Sequence, residues 1–120
     1  LRYCLVFDEV GEDRDVHSVD RRQRLMCIRD SMECGQYNTL WHQIHMYPEE
    51  SVQAGNDAQV KNIMPVHWAG FALAMHPWKE PVERFVAEAK KQKQEYITPR
   101  IGEMYTVDSV NVHEWWAGVL

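Results

Sequence analysis

Twice in this chain a proline opens a helical run, and twice that run gives way within a few residues to a short apolar strand. Pro48, followed by Glu49 and Glu50, opens the first run, which is expected to reach about Val60 and to precede a strand at Ile63–Val66. Pro81 opens the second, with Lys90, Lys91 and Lys93 near its end and a strand at Glu95–Thr98 beyond. Proline suits the first helical position because its missing N–H would find no intrahelical partner there. Carboxylates in the first turn and ammonium groups in the last complement the helix dipole. Helices alternating with short apolar strands are the grammar of α/β folds, so this order predicts an α/β domain.

The second helix carries the clearest periodicity. Val82, Phe85, Val86 and Ala89 stand at i, i+3, i+4 and i+7, which is one face of a 3.6-residue repeat. Glu80 and Arg84 form an i, i+4 pair on it. Gly55 falls inside the first helix, where it costs roughly 1 kcal/mol against alanine, and close packing against a neighbour would account for it. Elsewhere the signals thin out. Leu1–Phe7 reads as a strand, Leu25–Ser31 as part of a strand ending near Cys34 and Gly35, Trp68–Met75 as a short helical turn, and Met104–Val107 as a last strand. The segment from Asp8 to Arg24 is dense in charge and matches neither the helix nor the strand template.

The 120 residues suffice for one domain with a single core. With 13 basic against 18 acidic side chains the formal charge is -5, which argues against a nucleic-acid binder, since that needs a basic field. No run is long enough for a transmembrane segment, and the N-terminus does not read as a signal peptide. Cys4, Cys27 and Cys34 are odd in number and lack CxxC spacing, so neither a disulfide framework nor a structural zinc knot is expected, and a reducing, cytoplasmic compartment is the default. Five tryptophans are more than this size of core requires, and any left uncovered would promote self-association.

The chemistry-bearing side chains are mostly histidines. "NIMPVHWAGF" places His67 at the end of the Ile63–Val66 strand, where a neutral imidazole is well held for a metal but could equally be a packed histidine at a sheet edge. His45 precedes the Pro48 helix, and His42 stands three residues before it as a surface or packing residue. His76-Pro77-Trp78 reads as scaffold, since proline restricts the residue before it to extended backbone. Arg100, in "TPRIGE", reads as part of a turn, and Cys34 has no neighbouring base that would make it a nucleophile.

"HMYPEESVQA", then "NIMPVHWAGFALAMHPWKEPVERF", then "TPRIGE" together resemble the C-terminal part of a metallo-β-lactamase-fold hydrolase. Within that superfamily the resemblance is to the branch of the N-acylphosphatidylethanolamine-hydrolysing phospholipase D and its bacterial relatives, and it covers about Met32 to Tyr105. It implies the C-terminal half of a four-layer αββα sandwich. It further implies two zinc ions at one edge of the sandwich and hydrolysis of an ester, lactone or phosphodiester in a small-molecule or lipid-like substrate. His67 matches the last metal ligand of the family, and His45 a histidine close to the metals with a catalytic or supporting role. The loop of Glu33, Cys34, Gln36 and Tyr37 falls near the active edge, so Gln36 and Tyr37, with Trp68 beside His67, are candidates to line the substrate site. The family's HxHxDH ligand segment is absent, "DEVGEDRD" does not match its GDxGY phrase, and Ala69-Gly70-Phe71 departs from its usual glycine followed by threonine or lysine.

These departures support a rival expectation, a truncated or chimeric, non-catalytic α/β fragment without a metal site. Catalytic zinc needs at least three protein ligands, and sequence assigns one, so the isolated chain is expected to be inactive. The abrupt change of pattern divides the chain into residues 1–31, read as partly or wholly non-native, and residues 32–120, read as the C-terminal part of the hydrolase domain.

Overall fold

The helix with the strongest periodicity organises the rest. In the computed structural model, which describes residues 29–106 and 112–119, α2 spans Glu80–Gln92. It buries Pro81, Val82, Phe85, Val86 and Ala89, the face expected from their spacing. Phe85 is fully buried against Met32, Cys34, Val52, Val60, Ile63 and Ala89, so truncating it to alanine would cost about 3–5 kcal/mol. Helix α1, Pro48–Asp57, packs against both α2 and the sheet.

Among the described residues the sheet has three strands in the order β1-β2-β3, and every described pairing is parallel. Strand β1, Arg29–Glu33, pairs along its whole length with β2, Asn62–Val66, in the register Arg29↔Asn62 to Glu33↔Val66. Strand β3, Glu95–Tyr96, pairs with Asn62 and Ile63. Parallel neighbours need a crossover, and α1 and α2 are those crossovers. Strand order that advances one way, joined by crossovers of the usual hand, puts both helices on one face, as their mutual packing requires. A small α/β domain results, with a parallel sheet and two helices. Gly55 meets its expectation of close packing: a methyl group there would lie 2.7 Å from Cγ2 of Ile63.

Several boundaries differ from expectation, each for a local reason. Helix α1 ends at Asp57 rather than near Val60, because Gln59 turns into the left-handed region at φ 56°. Its N–H then reaches the Asn56 carbonyl at 2.9 Å and that of Val60 reaches Gly55 at 3.1 Å, a Schellman closure that turns Val60 into the core. Helix α2 closes the same way through Lys93 at φ 57°. Among the described residues β1 covers Arg29–Glu33, so Glu33 is a strand residue and not a loop residue. Strand β3 stops at Tyr96, one further bond joining the Ile97 N–H to Ile63. Thr98 bridges instead to Val112, and Pro99 has no N–H with which to extend the ladder.

Trp68–Met75 forms no helical turn. The Gln36 amide there takes the place of intrahelical partners, accepting from the N–H groups of Leu73 and Ala74 at 3.0 Å each and donating to the Phe71 carbonyl at 2.5 Å. Met104–Thr106 is not a strand; these residues are exposed and have no face to bury. The expected strand Leu1–Phe7, the charged segment to Arg24, Leu25–Ile28 and Val107 lie outside the described residues. In the tail, Trp115–Gly118 forms a 3-10 turn that brings Trp115 and Trp116 to Trp68, with ring centroids 5.2 and 5.5 Å away. Trp116 is buried against Val82 and Val86, so these three tryptophans build a second cluster beside the main core. No helix among the described residues is long and apolar enough to cross a membrane.

Candidate metal centre

A parallel sheet brings the carboxyl ends of its strands to one edge, and open α/β sheets bind ligands there. Glu33 ends β1, and His67 immediately follows the last residue of β2, Val66, which is Glu33's partner in register. The loop between β1 and α1 returns over the same edge and carries His45. One donor atom from each of Glu33, His45 and His67 lies within 4.8 Å of the other two. Donors that share an ion at about 2.1 Å stand at most about 4.2 Å apart, so a small side-chain adjustment brings all three onto one cation. Two imidazoles and one carboxylate are also the donor types of catalytic zinc sites with an open fourth position. The residues therefore fit a single metal ion.

Two of the donors touch each other. Nδ1 of His45 contacts the Glu33 carboxylate, and both side chains are about three-quarters buried, with 27% and 28% exposed. A hydrogen on Nδ1 would donate to that carboxylate and leave Nε2 available to a cation. The rings of His45 and His67 lie nearly parallel, 17° apart with centroids at 5.2 Å. The Ser51 hydroxyl in α1 donates to the Glu33 carbonyl and fixes the end of β1 to the helix.

His67 is exposed and sits at φ 64°, with Ala69 at φ 63°. Left-handed backbone costs a non-glycine residue roughly 1–2 kcal/mol, and such residues gather at functional sites. The turn is held by Gly35. A methyl group there would stand 2.0 Å from the His67 carbonyl oxygen, so only a residue without a side chain lets the two loops meet. Beside it, the Cys34 N–H donates to the Val66 carbonyl at 3.1 Å and its Sγ lies 3.6 Å from the same oxygen. Burial, helped by the Glu33 charge, pushes the Cys34 thiol far above its ordinary pKa, which keeps it protonated and a poor nucleophile.

The other sequence candidates fall as follows. Gln36 is buried, with its amide bonded to the 71–74 backbone. Tyr37 is buried, donates to Glu80 at 2.5 Å and stacks on His76 at 4.4 Å. Trp68 donates to the Pro65 carbonyl at 3.0 Å and, with His67, Met64, Val66 and Trp115, lines a shallow groove of about 230 Å³. His42 is exposed, 3.2 Å from the Thr39 carbonyl. Glu49 pairs with Arg84, while Glu50 accepts from the Tyr47 N–H at 2.8 Å and caps α1. Arg100 sits in a turn whose N–H bonds the Glu103 carboxylate at 2.7 Å. Sequence reasoning passed over Glu33 as a metal donor, and no spacing motif marks it. The cue was its place at a strand end, in register beside His67. Two zinc ions were expected, whereas the described residues assemble a single three-donor cluster.

No protein-family model matches this chain. An uncharacterized protein of Mycobacterium tuberculosis is 42% identical over 86 residues, 68% of this chain and 23% of the relative. The mitochondrial N-acyl-phosphatidylethanolamine-hydrolyzing phospholipase D of Saccharomyces cerevisiae is 32% identical over 86 residues, 18% of its length. The outer membrane protein RomA of Klebsiella pneumoniae is 44% identical over 36 residues, 30% of this chain and 27% of that protein. The chain thus spans less than a quarter of the mycobacterial relative and is distantly similar to uncharacterized bacterial proteins and to one phospholipase D.

Proposed function

We propose that this chain supplies part of the metal centre of a metal-dependent hydrolase of the metallo-β-lactamase superfamily. The observation that carries this reading is the meeting of Glu33, His45 and His67 at the carboxyl edge of a parallel sheet. Similarity to a phospholipase D whose name describes hydrolysis of a phospholipid supports the hydrolase class. Zinc is the ion this donor set suits best. When bound, such an ion supplies Lewis-acid polarisation and a nucleophilic hydroxide at neutral pH. His67 and His45 would hold it through ring nitrogens and Glu33 through a carboxylate oxygen, which would also orient His45. A two-ion centre draws its remaining ligands from outside this cluster. The proposed substrates are esters, lactones or phosphodiesters, with Trp68 at the wall of the neighbouring groove.

The test is metal content of the purified 120-residue chain, grown with zinc, beside His67→Ala, His45→Ala and Glu33→Gln. About one zinc per chain is expected, reduced in each variant. A metal-free wild-type chain refutes the reading.

The second reading, a non-catalytic α/β fragment that self-associates, is favoured by one observation. Leu40, Ile44, Phe71, Leu73 and Met75 are all exposed on the two loops that flank the cluster. Concentration-dependent association of a metal-free chain in sedimentation supports it; a monomer with bound zinc excludes it.

A further inference from the structure

The segment that carries His45 runs from Tyr37, four residues after β1 ends, to Tyr47, the residue before α1. These two residues form its neck, with ring centroids 5.1 Å apart. Arg84, reaching across from α2, closes that neck. Its guanidinium carbon lies 4.8 Å from the Tyr37 ring centroid and 5.6 Å from that of Tyr47. Nε and Nη2 each donate to the Glu49 carboxylate at 2.8 Å, and Nη1 donates to Glu80 at 3.3 Å. The Tyr37 hydroxyl donates to the same Glu80 oxygen. One planar cation therefore joins the loop after β1, the first turn of α1 and the first turn of α2. Two parallel N–H···O bonds and two aromatic faces fix its orientation in a way that a lysine ammonium, a point charge on a flexible stem, cannot reproduce.

From this geometry we infer that Arg84 is a positioning residue for the metal cluster. It holds Tyr37 and Tyr47 together and thereby sets the path of the loop that delivers His45 to Glu33. Tyr47 is two residues beyond His45 and Tyr37 is four beyond Glu33, so a shift at the neck is passed directly to both donors. The inference rests on the metal reading above. It adds a residue that touches none of the donors and lies on α2, whereas the donors come from strand ends and a loop.

The test is titration of the full chain with Co²⁺, read by its visible absorption bands, for wild type, Arg84→Met, Arg84→Lys and two controls. Lys91→Met removes an exposed charge of the same helix, and Val86→Ala destabilises that helix without touching the neck. All are measured well below their unfolding midpoints, with the folded fraction followed by circular dichroism. Arg84→Met is expected to weaken Co²⁺ binding by about 10–100-fold and to change the shape of the bands, as loss of a group that orients metal ligands does. Arg84→Lys is expected to restore little of either, and both controls to bind as wild type.

A folded Arg84→Met chain that binds within about threefold of wild type, with the same bands, overturns the inference. Equal weakening in Val86→Ala also overturns it, because the effect would then follow stability alone. Should Arg84→Met fail to fold, Tyr47→Leu and Glu49→Gln each remove one arm of the clamp, the aromatic face and the bidentate carboxylate. Weaker binding in both supports the inference, and wild-type binding in either refutes it. If the wild-type chain itself binds no Co²⁺, the metal reading fails and takes this inference with it, a result distinct from all the others.

Discussion

Replacing Gly35 by alanine tests whether the metal site depends on the close approach of two loops. Gly35 does not have positive φ, so alanine would meet no left-handed backbone penalty there. Space is the obstacle. The new methyl group would lie 2.0 Å from the His67 carbonyl oxygen, 2.9 Å from its carbonyl carbon and 3.3 Å from Cα of Trp68, all of them backbone atoms. Ordinary carbon–oxygen contacts are about 3.3–3.6 Å, so the loops must part by more than about 1 Å, and no rotamer change can absorb that. Overpacking costs about 1–3 kcal/mol. Parting the loops also strains the 3.1 Å bond from the Cys34 N–H to Val66, worth about 1 kcal/mol more. We expect Gly35→Ala to lose about 3 kcal/mol in urea unfolding. His67 displaced by about 1 Å, on top of the adjustment the donors already need, should bind zinc about 10-fold more weakly in a chelator competition. Gly70→Ala is the control, because a methyl group there meets no atom within 4 Å. If the two variants match in both unfolding midpoint and zinc affinity, the argument from close approach is wrong.

Three further outcomes follow from the same coordinates. Gly55→Ala gains about 1 kcal/mol of helix propensity but drives a methyl group to 2.7 Å from Cγ2 of buried Ile63; the net in urea unfolding should be a loss of about 1 kcal/mol, and a net gain would show that Ile63 yields freely. Gln59→Gly and Lys93→Gly should each raise stability by about 0.5–1 kcal/mol, since both residues hold left-handed positions that close helices; a loss in both would contradict the strain assigned to them. The hydrogen bond from Tyr37, ahead of Arg84's bond and charge, holds the Glu80 carboxyl below its ordinary range despite partial burial. Its contribution to stability is then present above the unfolded pKa near 4.3 and lost as pH falls through the lower folded value. Tyr37→Phe should flatten the acid limb between about pH 5 and 3, and an unchanged limb would refute the assignment.

The fold was legible where one residue pattern had one physical meaning. Pro48, Pro81 and the 82-85-86-89 face predicted two helices, and the apolar residues 63–66 predicted β2, because proline geometry and burial act locally. Helix ends were harder. Both close through a left-handed residue, but Gln59 and Lys93 stand where glycine would have announced the turn. Trp68–Met75 forms no helical turn because its backbone partners come from Gln36, more than thirty residues earlier, which no local window contains.

The site divides along the same line. His67 and His45 stood out through resemblance, since each sits in a long ordered phrase. Glu33 became a candidate donor only when parallel pairing placed it beside Val66, one residue from His67. Its pairing with His45 spans 12 positions and obeys no helical or strand period, so periodicity had nothing to detect. Gly35 belongs to the same class: its value lies in the His67 carbonyl that presses on it, a contact made across the sheet edge. The two donors that sequence singled out therefore depend on neighbours it did not mark, and those neighbours are set by register. A one-residue slip between β1 and β2 would turn Glu33 to the opposite face and leave both histidines without a carboxylate. Sheet register is thus the physical link between this fold and any metal chemistry at its edge.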